Sequence, residues 1–327
     1  MLRQLGLKLL QTVLVVLAVS LVVFIMNYFG GDPVYMMLPP QSTAADIAAM
    51  RRSMGLDQPV LVQYGLYMLN LARGQLGSSW TQARPVLGLI LERLPATLEV
   101  AGCGMLLALL IGIPSGLIAA TAPRSWFAKT TGIVSILGIS IPPFWLGISL
   151  ILTFAVDLGW FPSSGRGATV SLLGIPVSVL TLDGLKHLAL PSLTSALFNT
   201  CLTMRLQYAA TREELTADYV RYAVARGVPR RRIVAVHAFP NTLIPMITFS
   251  AMVFAQSIAF SVVIETIFAW PGVGKLLIDA IGLNDRPLIM GYLIFIAVLF
   301  SLINFSADLT YGMIDPRVRL GAPPRSR

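Results

Sequence analysis

Six long apolar runs limit what this chain can fold into: residues 9–28, 97–120, 130–156, 188–210, 242–268 and 288–313. A helix rising about 1.5 Å per residue needs about 20 apolar residues to cross the hydrocarbon core of a bilayer. Each run meets that length. Composition agrees: 56% hydrophobic and 12% charged residues, with a mean hydropathy of +0.77, leave too little polar surface for a soluble globule of 327 residues. The expectation is an all-α membrane protein with about six transmembrane helices.

Arg3 and Lys8 precede the first run as in a signal peptide, but the run ends in Phe29-Gly30-Gly31-Asp32 without a small-x-small cleavage pattern, so it reads as a retained helix. A further apolar stretch, 170–180, is short and contains Pro176, which places it at the interface or in an external loop. Charge decides sidedness. With both termini cytoplasmic, the inner segments 1–8, 121–129, 211–241 and 314–327 carry 14 Lys and Arg. The outer segments 30–96, 157–187 and 269–287 carry 9, five of them in one long loop where charge steers orientation weakly. The net charge of +9 is thus mostly topology control, not a nucleic-acid-binding face, and no nucleic-acid partner is expected.

The linear organisation follows: an N-terminal transmembrane helix over 1–30, an external cap over 31–96, a five-helix core over 97–313 and a cytoplasmic tail over 314–327. The cap contains two helical stretches, 44–54 stopped by Gly55, and 60–71. Within the core, Pro142-Pro143 sits near the middle of the third run and kinks it. Pro114 lies between Gly112 and Gly116, a small-xxx-small spacing that lets helices approach closely.

The residues argue against an enzyme. His187 and His237 lie at or outside run ends, so neither can act as a base for a serine deep in the membrane. Cys103 and Cys201 both fall inside apolar runs and form no CxxC pair, and no zinc ligand set is visible. The string from Ala269 through Gly272, Gly274 and Lys275 to Leu276 superficially has the look of a phosphate-binding loop, but it lacks the first glycine and the final Ser or Thr. It also falls on the outer side.

Ionisable and polar residues in the runs are candidates for a translocation path, because they are costly in lipid. Arg205 and Asp308 lie at similar depths before the inner ends of their runs, and they either pair at the cytoplasmic mouth or snorkel separately. Glu99 and Glu265 lie near outer ends, with Gln256 and Ser257 deeper. The carboxylates could attract a substrate ammonium, and Glu265 could equally bond backbone near the Trp270-Pro271-Gly272 turn. Pro142 and Pro143 complete this group as a gating hinge or as packing.

The inner loop 211–241 holds six arginines and its own helical texture. Asp218-Tyr219-Val220-Arg221-Tyr222-Ala223-Val224-Ala225-Arg226 reads as a short helix capped by Thr216 or Asp218 and stopped at Gly227. A second helical run leads to Pro240-Asn241. Tyr219, Ala223 and Arg226 share one side, offering an aromatic anchor, a small residue and a rim charge to another protein. Arg230-Arg231-Arg232 either joins that docking or only holds the loop inside.

This loop resembles the EAA loop of ABC importer permeases: Arg221-Tyr222-Ala223, then Gly227, then Phe239-Pro240. The acidic position is Arg221 here and the second is Tyr222, a departure that itself is similar to the dipeptide and oligopeptide branch. The same branch is resembled, in order, by Gly31-Asp32-Pro33, Gly55-Leu56-Asp57-Gln58-Pro59, Gln63-Tyr64, Leu94-Pro95-Ala96-Thr97-Leu98-Glu99 and Ser140-Ile141-Pro142-Pro143-Phe144-Trp145. Gly159-Trp160-Phe161-Pro162, the segment from Glu265 to Gly274, and Asp315-Pro316-Arg317 continue it. The resemblance implies a type I ABC importer fold and the first of two permease subunits in a peptide-type importer. It implies a homologous second permease, two ATP-binding subunits and an extracytoplasmic solute-binding protein as partners, in the bacterial cytoplasmic membrane. It further implies no cofactor on this chain, with ATP and Mg used by the partner ATPases, and a coupling helix ending at Gly227. Relatives of this type also carry nickel complexes, glutathione or haem. A self-sufficient channel or secondary transporter is the competing class, without evident inverted repeats to support it.

Overall fold

The computed structural model describes residues 2–29, 34, 41–53 and 55–314. Gly31-Asp32-Pro33, Asp315-Pro316-Arg317 with the rest of the tail, and the side chain of Asp308 lie outside the described residues. The helices in chain order are α1 (Leu2–Phe29), α2 (Ala44–Ser53), α3 (Val60–Ala72), α4 (Val86–Thr121), α5 (Trp126–Ser140), α6 (Pro143–Leu150, continued as a π-helix over Ile151–Asp157) and α7 (Leu182–Glu214). They continue with α8 (Asp218–Ala225), α9 (Arg230–Arg232, continued as a π-helix over Ile233–Ala238), α10 (Phe239–Ile267), α11 (Val273–Gly282) and α12 (Arg286–Ile314). Among the described residues three of these are long and apolar enough to cross a membrane, and a fourth is obtained if α5 and α6 form one broken span. The third expected run is divided between α5 and α6 while the others each fall on one helix; among the described residues α1 offers only the shorter apolar stretch Leu10–Met26, and α7, with Asn199, Arg205 and Gln207 among its polar residues, does not reach a spanning composition.

The chain forms two compact units. The first comprises Met1–Arg93 and Leu276–Ser301. Here Phe24 of α1 stacks edge-on against Tyr64 of α3, with centroids 5.2 Å apart, and Ser20 lies 3.2 Å from the Tyr64 hydroxyl. Helix α2 begins in a reciprocal cap: Thr43 N–H donates to Asp46, whose own N–H donates back to Thr43 Oγ1. Gly55, at φ +69°, follows α2 as expected.

The same unit buries a carboxylate that the sequence did not single out. Asp285 is 0% exposed and accepts from Ser79 Oγ, Thr81 Oγ1 and the backbone N–H groups of Trp80 and Thr81. Burial pushes its pKa up, but these bonds pull it further down, to a net value below the ordinary carboxylate range. Its stabilisation is therefore present at neutral pH and is lost as pH falls through that lowered value. The melting midpoint of the protein in detergent should drop on acidification below about pH 4. Asp285→Asn should melt lower at neutral pH and lose less over the same acid range; parallel acid profiles would show that another group controls the transition.

The second unit comprises Leu94–Lys275 and Leu302–Arg327. Its centre is α7, which packs on α5, α6 and α10. Serine and threonine start the helices: Ser125 Oγ accepts from Ala128 N–H before α5, and Thr181 Oγ1 from Gly184 N–H before α7. Helices α4 and α7 meet through small residues. A Cβ on Gly104 would lie 2.7 Å from Ser195 Oγ, one on Gly112 2.7 Å from Thr203, and one on Gly116 2.5 Å from the Met204 carbonyl oxygen. The close approach expected from Gly112 and Gly116 is thus realised against α7.

The third run is broken more sharply than a kink, because α5 and α6 diverge by 99° at Ile141-Pro142. Neither proline has an N–H to continue the α5 ladder, and Pro143 starts the next helix. Residues 170–180 contain a two-stranded hairpin, Val170–Leu172 with Ile175–Val177, closed by Leu173 and Gly174, both at positive φ. Glu99 pins this hairpin: it accepts from Arg166 Nε at 3.0 Å, and from Ser178 N–H and Oγ, each at 2.6 Å. A core of Ala96, Val100, Leu188, Leu190, Ile264, Phe268 and Trp270 closes that end of the unit.

Candidate functional site

Helix α8 projects the residues read as the docking segment. Asp218, Arg221, Tyr222, Val224, Ala225, Arg226 and Gly227 are exposed, and only Val220 is buried. The helix has no side-chain cap; Ala217 occupies the N-cap, so the expected role of Thr216 or Asp218 is not found. Its C-terminus is closed as expected. Val228 N–H donates to Ala223 O and Gly227 N–H to Val224 O, with Gly227 at φ +75°, the left-handed stop of a Schellman motif.

The helix is held at both ends of the loop. Tyr219 Oη donates to Glu214 at the end of α7, and Asn241 Nδ2, at the start of α10, reaches both Glu214 (3.2 Å) and Tyr219 Oη (3.2 Å). Partial burial, then the bond to Glu214, raises the Tyr219 pKa, so it remains a donor at neutral pH. Tyr219 is therefore a tether, and the free aromatic is Tyr222, 63% exposed, with the Arg226 guanidinium 5.3 Å from its ring centroid. Arg221 lies 3.5 Å from Asp218 on the surface. Arg230 donates to Thr121 O at 2.6 Å, linking the loop to the end of α4. The second short helix expected to end at Pro240-Asn241 is instead continuous with α10 through the π-helical turn; Pro240 sits at the junction and gives no N–H back to that turn.

A cavity of about 480 Å³ opens in the second unit where α5 breaks, walled by Ser140, Pro142, Pro143, Asn199, Gln256, Ser257 and Phe260. Four residues expected on the path, Pro142, Pro143, Gln256 and Ser257, are brought together here. Glu99 and Glu265 are not among them. Glu265 is 0% exposed and accepts from Thr97 Oγ1 (2.7 Å), Ser261 Oγ (2.9 Å) and Lys275 N–H (2.9 Å). The Trp270-Pro271-Gly272 turn folds over it, with Trp270 Nε1 donating to Ala96 O at 2.8 Å. Of the two readings of Glu265 the geometry matches the local bond, and both carboxylates are consumed by structure. Arg205 is exposed on α7, and its proposed partner side chain, Asp308, lies outside the described residues.

The sequence reading missed a polar stripe. Asn199, Thr203, Gln207 and Thr211 recur every four residues on α7, and all are buried. Asn199 Nδ2 donates to Ser257 Oγ at 2.9 Å, and Gln207 Nε2 donates to Thr211 and Thr242 at 3.0 and 2.9 Å. The i, i+4 spacing was the available signal.

Residues 112–320 match the family described as binding-protein-dependent transport system inner membrane component, and residues 1–101 match its N-terminal component. The chain belongs to this permease family. The permease is 37% identical over 310 residues to a putative peptide transport system permease protein of Brucella abortus, covering 94% of this chain and 96% of that one. It is 37% identical over 323 residues to the probable D,D-dipeptide transport system permease DdpB of Escherichia coli (94% and 95% covered). It is 35% identical over 311 residues to the oligopeptide transport system permease AppB of Bacillus subtilis (94% and 96% covered). Among solved structures, the inward-facing MetNI methionine ABC transporter matches 70% of the permease and 97% of its own chain, with a TM-score of 0.55 at 19% identity. That is a likeness of fold.

Proposed function

We propose that this permease is the membrane-spanning subunit of an ATP-driven importer that moves peptides across the bacterial cytoplasmic membrane by alternating access. Six spans with both termini cytoplasmic accord with the charge count and with the long helices α1, α4, α5–α6, α7, α10 and α12. The domain division stays as read above, with 211–241 as the coupling loop. The partners are a homologous second permease, two ABC ATPase subunits that bind ATP and Mg, and an extracytoplasmic solute-binding protein. The peptide assignment is supported by relatives that match nearly end to end.

The observation that carries the reading is helix α8: its outer face is exposed and bears an aromatic and an arginine, while Tyr219 in its first turn ties it to both α7 and α10. Such an element transmits a push into the bundle, switching it between inward- and outward-facing states. Asp218, Tyr222, Ala223 and Arg226 would meet the ATPase, and Tyr219, Pro240 and Asn241 would hold the lever.

Gly227→Val tests this. A Cβ there meets nothing within 4 Å, so the only fault is a β-branched residue at φ +75°, costing about 1–2 kcal/mol locally. The variant should insert and melt within about 5 °C of the wild type while the reconstituted complex loses peptide-stimulated ATP hydrolysis and about tenfold or more of its uptake. Wild-type uptake would remove the lever assignment.

A further inference from the structure

Resting on the proposed peptide transport, we infer that the cavity at the α5–α6 break binds the backbone amides of the cargo peptide through Gln256 and Asn199, and does not read side-chain charge. Gln256 sits at the middle of Pro245–Ile267, is exposed on the cavity wall, and makes no hydrogen bond among the described residues. A bare primary amide at that depth is costly against hydrocarbon, so it faces a polar guest or water. Asn199 is 4% exposed; its Nδ2 is committed to Ser257, whose Oγ donates on to Val253 O at 2.9 Å. Asn199 Oδ1 accepts nothing among the described residues. The wall therefore offers a free carboxamide donor, a free carboxamide acceptor and a second acceptor one helix away. That set complements the C=O and N–H of a peptide bond.

The remaining wall is apolar or proline apart from the uncharged hydroxyls of Ser140, Thr194, Ser195 and Ser257, with no Asp, Glu, Lys, Arg or His among its described residues. With no charge on the wall, an ammonium or carboxylate side chain finds neither a partner nor a repelling group there. The volume lies within the range of small-molecule sites. Uncharged amides on two packed helices thus hold what every short peptide shares.

The test uses the complete importer with its partner subunits and binding protein in proteoliposomes, with trialanine, Ala-Lys-Ala and Ala-Glu-Ala as probes at saturating concentration. Gln256→Leu should lower trialanine uptake by about tenfold, the loss of one to two hydrogen bonds, with the melting midpoint unchanged because the side chain is exposed. Gln256→Glu should separate the probes, favouring Ala-Lys-Ala over Ala-Glu-Ala by about fivefold or more, where the wild type treats them alike. Wild-type uptake by both variants overturns the inference while leaving the peptide function standing. Labelling of Phe260 by a photoactivatable phospholipid that trialanine does not displace assigns the cavity to lipid and also overturns it. If the wild-type importer moves none of the three peptides, the proposed function fails and the inference falls with it.

Discussion

Gly116→Ala is expected to lower the stability of the permease by about 2–3 kcal/mol and to cut the yield of folded protein, although it adds a single methyl group. The new Cβ would lie 2.5 Å from Met204 O, 2.8 Å from Gln207 Cβ and 3.0 Å from Tyr208 N. Two of those three neighbours are backbone of α7 and cannot rotate away, so α4 and α7 must separate along the contact that also seats Gly104 and Gly112. Separation would strain the Gln207–Thr242 bond as well. Gly132→Ala provides the comparison: nothing lies within 4 Å of its Cβ, and helix propensity alone should leave it neutral or stabilised by up to about 1 kcal/mol. Thermal unfolding in detergent measures both, and equal midpoints would mean that the α4–α7 contact is slack.

Glu265→Leu should cost more, about 3–5 kcal/mol, because three buried donors lose their acceptor at once. Thr97 Oγ1, Ser261 Oγ and Lys275 N–H come from three separate segments of the second unit, so one carboxylate fastens them together. Glu265→Gln keeps one carbonyl oxygen and should retain most of the stability and most of the uptake. Charge attraction of a substrate ammonium demands the opposite result, because the neutral variant would lose transport while melting normally. The two substitutions, read by melting midpoint and uptake rate together, separate fastening from steering.

Much of the coupling loop was legible from its residues, since a helix stop depends on local chemistry. Gly227 followed by Pro229 predicts a left-handed stop wherever the loop lies, and the Schellman bonds from Gly227 and Val228 are there. The roles of the two tyrosines were not legible. Tyr219 and Tyr222 are three residues apart on one helix, and only the positions of Glu214 and Asn241, one before the helix and one after it, turn Tyr219 into a tether and leave Tyr222 free. The partners of the carboxylates were not legible for a related reason. Glu99 and Glu265 lie near run ends, where a path could open, yet their partners Arg166, Ser178, Thr97 and Ser261 are brought to them by folding.

From the sequence alone came the apolar runs, the sidedness implied by arginine placement, the Pro142-Pro143 break, the small-residue contact at Gly112 and Gly116, and the glycine stop. These follow from composition and from chemistry within a few residues of chain. Only the tertiary structure decided which polar groups face one another. It turned the break into a cavity with Asn199 and Gln256 on its wall, and it buried Glu265 and Asp285 as fasteners. The physical reason is that a polar group near lipid must find a partner, and its sequence says that one is needed without saying which one it meets.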